Sequence, residues 1–186
     1  MMNHIDLSSV LRRTLACDLY SNLVTRPTGA AVRGQIEEML GASGPRAVAV
    51  IDFTHVSMID FSCADEVVAK LLIRYTADDP PHDAYFLFRG VTEDHSYAIE
   101  AVLERHELVA ALEEGDHVKL AGTPTDDEQS AWKASWELGR ADASELAGRM
   151  GCEMIVAEQA LRALCRHRVM MCVDGEYVAV GSSRGG

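Results

Sequence analysis

"AVIDFTHVSMIDFSCADEVVAKLL", residues 49–72, changes its periodicity halfway along. The first part continues the upstream "RAVAVIDF" as an unbroken apolar run rich in β-branched residues, the pattern of a strand covered on both faces. From Ser62 onward, Ala64, Val67, Val68, Leu71 and Leu72 recur at helical spacing and make one apolar stripe. "THVSMIDF" lies between as a turn. The stretch therefore predicts a buried strand, a short turn and a helix from about Ser62 to Tyr75. Ser62 is placed to cap that helix, with Asp65 three positions later completing a Ser-x-x-Asp capping box.

The flanks extend the pattern. "TRPTGAAVRGQIEEML" predicts a helix that starts through Thr25 and Pro27, aligns Val32, Ile36, Met39 and Leu40, and stops at Gly41. Arg26 and Arg33 are expected on its solvated face, with contact to a phosphate or to a partner's acid as the alternative. Downstream, "TADDPPHD" breaks the chain, "AYFLFRGV" is a second strand, and "DHVKLAG" a third. Between the last two, "TEDHSYAIEAVLERHELVAALEEG" reads as one bent helix or two short ones. Alternating strands and helices define an α/β class with a mostly parallel, mixed sheet and flanking helices. Residues 122–130, containing "TPTDDEQS", are the expected linker between a first domain at 1–121 and a second at 131–186. The second holds three helices, "EQSAWKASWELGR", "DASELAGRMG" and "MIVAEQALRALCRHR", with Trp132 and Trp136 sharing one face of the first. A hairpin then turns at Asp174-Gly175, two residues that accept positive φ.

Composition narrows the function. With 186 residues, 48% of them apolar, the chain can bury a substantial core. No stretch nears the roughly 20 apolar residues of a membrane span, and "MMNHIDLSSVLRRTLACD" lacks the apolar segment of a secretion signal, so a cytoplasmic location is expected. The five cysteines, Cys17, Cys63, Cys152, Cys165 and Cys172, form no CxxC pair. Residues 165 and 167 point to different sides of a helix, which argues against a zinc site from Cys152, Cys165, His167 and Cys172. Asp52, His55 and Asp60 flank one loop but find no further ligand at metal spacing. GxSxG, HExxH, P-loop and GxGxxG motifs are absent, so no catalytic residue, metal or cofactor is expected. The net charge of −12 opposes broad attachment to nucleic acid or anionic lipid.

The strand, the turn, the serine and the helix together resemble the STAS domain, the fold of bacterial anti-sigma-factor antagonists, over roughly residues 1–121. Asp60, Phe61, Ser62 and Cys63 fall where that family has an Asp-Ser-Ser-Gly-like turn. The resemblance implies a regulatory protein that works by partner switching, with Ser62 as phosphoacceptor for a partner kinase and Asp60, Phe61, Ser62 and Asp65 as the docking corner. Cys63 replaces the glycine, and "RPTGAAVR" with "FSCADEVVAKLL" looks closer to an uncharacterised STAS-like group.

Residues 127–181 resemble winged-helix regulators, whose third helix lies in the DNA major groove. Gln159, Arg162 and Arg166 fall on one face of that helix, opposite Leu161, Leu164 and Cys165, and Arg168 follows. Residues 155–173 hold three arginines against Glu158, yet from Asp126 onward seven Lys/Arg face ten Asp/Glu, and the hairpin tip is acidic. Protein interaction, including a homodimer, is therefore the expected role of this module. DNA binding through Gln159, Arg162, Arg166 and Arg168 is the alternative.

Overall fold

The computed structural model describes residues 2–7, 10, 22–42 and 46–182; Cys17 lies outside them. Its centre is a five-stranded mixed sheet ordered β1 (Met2–Asp6), β3 (Arg46–Asp52), β5 (Asp83–Arg89), β6 (Val109–Glu114), β7 (His117–Gly122). The first four strands run parallel and β7 is antiparallel to β6. A two-residue parallel pair, β2 (Asn22–Leu23) with β4 (Met58–Ile59), stands apart and precedes the central helix.

Strands of the large sheet are added in one direction, and parallel crossovers are right-handed, so the connecting helices gather on one face. These are α1 (Arg26–Gly41), α2 (residues 61–76) and α3 (Glu93–Arg105). Strand alternation splits the sheet's side chains accordingly. Ala49, Ile51, Phe86, Phe88, Ala110 and Leu112 meet the helices in one core. Val50, Tyr85, Leu87, Val109, Ala111 and Leu120 face the other way into a second core.

That second core is completed by the C-terminal third of the chain: α4 (Asp126–Leu138), β8 (Arg140–Asp142), α5 (Ala143–Met150), α6 (Met154–Arg166), β9 (Met170–Val173) and β10 (Glu176–Ala179). Trp132, Leu146, Leu161, Leu164, Met170 and Val180 share this core with the sheet's free face. β10 lies between β8 and β9, antiparallel to both. The hairpin turns at Asp174 and Gly175, with φ of 54° and 85°, as the left-handed pair predicts. The Trp132 and Trp136 rings stack with centroids 5.9 Å apart.

Three expectations change. Residues 126–130, expected as part of a linker, are helical, because Thr125 and Glu128 form a reciprocal capping box and Asp126, Asp127 and Glu128 occupy the favourable first turn of α4. "VAALEE" is strand β6 and not helix: Glu107 at φ 53° ends the helical run, and pairing between β5 and β7 overrides an Ala/Leu/Glu preference for helix. Met39 is 37% exposed, leaving Gly29, Val32, Ile36 and Leu40 as the buried face of α1.

Candidate functional site

The turn into α2 is held by a dense set of hydrogen bonds. Asp60, in extended conformation, is the N-cap, and its Oδ1 accepts hydrogen bonds from the Cys63 amide and from Ser62 Oγ, both at 2.8 Å. Its Oδ2 accepts from the Thr25 amide at 3.0 Å, tying the start of α1 to the start of α2. The expected Ser62–Asp65 capping box is therefore replaced. A carboxylate just before the helix takes two donors at once and suits the positive helix end better than a hydroxyl does.

Thr25 carries a φ of 75°, uncommon for a β-branched residue. Three bonds hold it there: its amide to Asp60, and its carbonyl accepting from the Gly29 amide at 3.2 Å and from Cys63 Sγ at 2.9 Å. Burial, reinforced by Asp60, pushes the Cys63 thiol up to about 12, so it stays protonated and donates. Here the cysteine acts as a structural donor joining two helices.

Past this corner α2 widens. Phe61–Ala64 is α-helical, Asp65–Lys70 forms a π-helical stretch, and Leu71–Thr76 resumes the α-helix. Such insertions cluster at functional sites. This one buries two consecutive acids, Asp65 and Glu66, at 8% and 2% exposure. Asp65 accepts from Arg26 Nη1 at 2.7 Å and from His106 Nε2 at 2.8 Å. Glu66 accepts from Arg26 at 2.8 Å, Arg33 at 3.3 Å and Lys70. Burial pushes both carboxyls up, but those hydrogen bonds outweigh it and hold each below its ordinary value. The buried charges are compensated, as they must be to remain ionised in the interior.

Arg26 and Arg33, expected on a solvated face, thus serve as counter-ions to α2. Glycine makes their reach possible. A Cβ on Gly29 would sit 2.9 Å from Glu66 Cβ and 3.0 Å from Cys63 Cα, so the two helices touch backbone to backbone here. The stretches "RPTGAAVR" and "FSCADEVVAKLL" meet in space along this contact.

Toward solvent the corner opens into a cavity of about 340 Å³ lined by Arg26, Phe61, Ser62, Asp65, Val102 and Arg105, among others. Phe61 is 48% exposed and meets the 74% exposed Tyr97 edge-on, with centroids 5.5 Å apart. The structure therefore brings Asp60, Phe61, Ser62 and Asp65 together at one rim. Arg105 and Tyr97 join them at the surface, and His106, Glu66 and Gly29 support the corner from beneath, without having been foreseen. An apolar stripe interrupted by Asp-Glu was the one available signal for the buried acids. Asp52 lies elsewhere, accepting from the Thr54 amide at 2.8 Å and paired with His4 at 2.6 Å.

On the C-terminal third, Gln159, Arg162 and Arg166 are exposed along one side of α6 while Leu161 and Leu164 are buried. Arg162 bonds Glu158 one turn earlier at 3.1 Å. Arg168 leaves this face. At φ 62° it turns inward, donating from Nε to the Tyr75 carbonyl at 2.8 Å and from Nη1 to Asp83 at 2.9 Å, with its guanidinium over the Tyr85 ring. Its own carbonyl accepts from the Phe86 amide at 2.9 Å, on strand β5 of the large sheet. Arg168 is thus a clasp between the two cores, and its charge is unavailable to a nucleic acid.

No protein-family model matches the chain, and no curated protein matches it. Among the described residues no three His, Cys, Asp or Glu side chains are grouped to hold a metal ion, and no helix is long and apolar enough to cross a membrane.

Proposed function

We propose that this chain is a non-enzymatic regulatory protein that works by partner switching: a STAS-like unit docks a protein partner at the residue 60–65 corner, and a winged-helix-like unit relays the state. The edge-on pair of exposed aromatics, Phe61 and Tyr97, at the rim where Ser62 lies, carries this reading. Exposed aromatics beside charged groups are the composition of interface hot spots. The one-directional sheet with helices on one face, and the order helix, strand, two helices, hairpin in the last third, both agree with it. Strain at Thr25 and the widened turn at Asp65–Lys70 gather at the same corner.

Ser62 is the proposed phosphoacceptor for a partner kinase. Its Oγ is spent on Asp60 and its side chain lines the same cavity as Arg26 and Arg105. A phosphoryl group would break that bond and bring a charge of about −2 beside Asp60 and Asp65, altering the surface that the partner meets. The test is affinity capture from native lysate with the intact chain, comparing wild type, a Phe61→Ala/Tyr97→Ala double variant, Ser62→Ala and Ser62→Asp. A specific partner should be lost from the double variant and change its occupancy in Ser62→Asp. Identical partners in all four would refute docking at this corner, and a native Ser62 that never carries phosphate would refute the switch.

A second reading, a transcription regulator that binds DNA through Gln159, Arg162 and Arg166, is favoured by their shared exposed face. Against it stand Met154 and Ile155, 44% and 55% exposed at the start of α6, and the acids Asp174 and Glu176 at the hairpin. Apolar side chains at that helix end suit a protein better than a phosphate backbone. Fluorescence anisotropy with duplex DNA at low salt separates the two, since absence of binding there removes the DNA reading.

A further inference from the structure

We propose that the cleft between the last turns of α6 and the β9–β10 hairpin is a binding site for a small organic anion with a flat apolar body. The cleft has a volume of about 450 Å³ and is lined by Gln159, Arg162, Cys165, Arg166, Cys172 and Tyr177. That volume falls within the range of small-ligand sites.

Chemistry fixes the class of ligand. Cys172 and Tyr177 are register partners on neighbouring strands, so the thiol and the phenol ring form one wall; Cys165 and the helix supply the opposite wall. Burial pushes the Cys165 thiol up to about 12 and likewise raises the Tyr177 phenol, so these two groups are uncharged near neutrality. The charged groups lining the cleft are the guanidiniums of Arg162 and Arg166. Glu158 is engaged by Arg162, and among the described residues Arg166 has no acidic partner. In a chain of net charge −12 this is a local cationic spot over an apolar floor. Arg166 can offer its planar fork to a carboxylate, sulfonate or phosphate while the ligand body lies against Tyr177, with the Gln159 amide at the mouth.

The probe is 1-anilinonaphthalene-8-sulfonate, a flat apolar anion, titrated into the intact protein and followed by its fluorescence. Saturable binding is expected, weakened about tenfold or more by Arg166→Glu and abolished by Gln159→Trp, which plugs the mouth. Arg105→Glu, in the cavity beside Ser62, should leave affinity within about twofold. Saturating probe should also slow alkylation of Cys172 by N-ethylmaleimide, read by peptide mass spectrometry. All substituted side chains are exposed, and unchanged circular dichroism would verify folding. Affinity indifferent to both Arg166→Glu and Gln159→Trp, or no protection of Cys172, would overturn the assignment. Displacement of the probe by duplex DNA at submicromolar concentration would also overturn it, giving the face to nucleic acid.

Discussion

The contact between α1 and α2 predicts that two glycines in one helix respond to alanine with opposite signs. Gly34 has open space around its missing Cβ, whereas a Cβ on Gly29 meets Glu66 Cβ at 2.9 Å and Cys63 Cα at 3.0 Å. Both neighbours are fixed to the α2 backbone and cannot swing aside. In Gly34→Ala only helix propensity changes, for a gain of about 0.5–1 kcal/mol. In Gly29→Ala the same gain is opposed by overpacking of up to ~3 kcal/mol, leaving a net loss near 2 kcal/mol. In a domain of this size that corresponds to a melting temperature lower by roughly 4–8 °C. Parting the helices also lengthens the Arg26 and Arg33 contacts to the buried acids, which places the cost at the upper end. Urea unfolding of both variants, with the slope m checked for constancy, measures the two free energies directly. A Gly29→Ala protein as stable as Gly34→Ala would refute close backbone packing at this corner.

Other perturbations follow from the same geometry. Asp60→Ala removes the acceptor for Cys63, Ser62 and Thr25 and should cost about 1–2 kcal/mol in urea unfolding, while Asp60→Asn retains most of that stability. Glu66→Ala strips the shared partner of Arg26, Arg33 and Lys70 and should cost about 2–3 kcal/mol, clearly more than Glu38→Ala on the exposed side of α1. Burial lowers the pKa of His95 and of His167, the latter despite Glu128 beside it. Their contribution is therefore complete above the ordinary histidine value of about 6.5 and is lost as pH falls from there toward the lowered native values. Urea midpoints should decline from about pH 7 to about pH 5, less steeply in a His95→Gln variant; a flat profile would contradict the buried neutral assignment. Arg168→Ala should loosen the clasp on Tyr75, Asp83 and Tyr85, raising amide exchange at Phe86 while leaving the helical circular dichroism intact.

Long, strongly patterned segments were legible. The runs that became β3 and β5 are apolar on both sides because both sheet faces are covered, and the stripes of α1 and α2 follow the helical period. Asp174-Gly175 announced its hairpin through backbone sterics alone. Illegible were the features set by tertiary partners. The "VAALEE" strand has the composition of a helix and is held extended by pairing with β5 and β7 on either side. Ser62 and Asp60 are both competent caps, and the choice between them depends on Thr25, 35 residues upstream, which offers Asp60 another donor. Asp65 and Glu66 look like a solvated edge until Arg26, Arg33 and His106 are brought to them. The inward turn of Arg168 depends on Asp83 and the Tyr75 carbonyl, which no local pattern reveals.

A sheet wound in a single direction leaves one side bare, and in this protein the C-terminal third serves as its lid. Ending the chain after Gly122 would uncover Val50, Tyr85, Leu87 and Ala111 to water, and such a fragment should clump rather than fold cleanly. The Ser62 corner and the far hairpin therefore stand on opposite sides of one common partition. Each part uses that wall as its own floor, and transplanting either into a chimera would require supplying it with a new one.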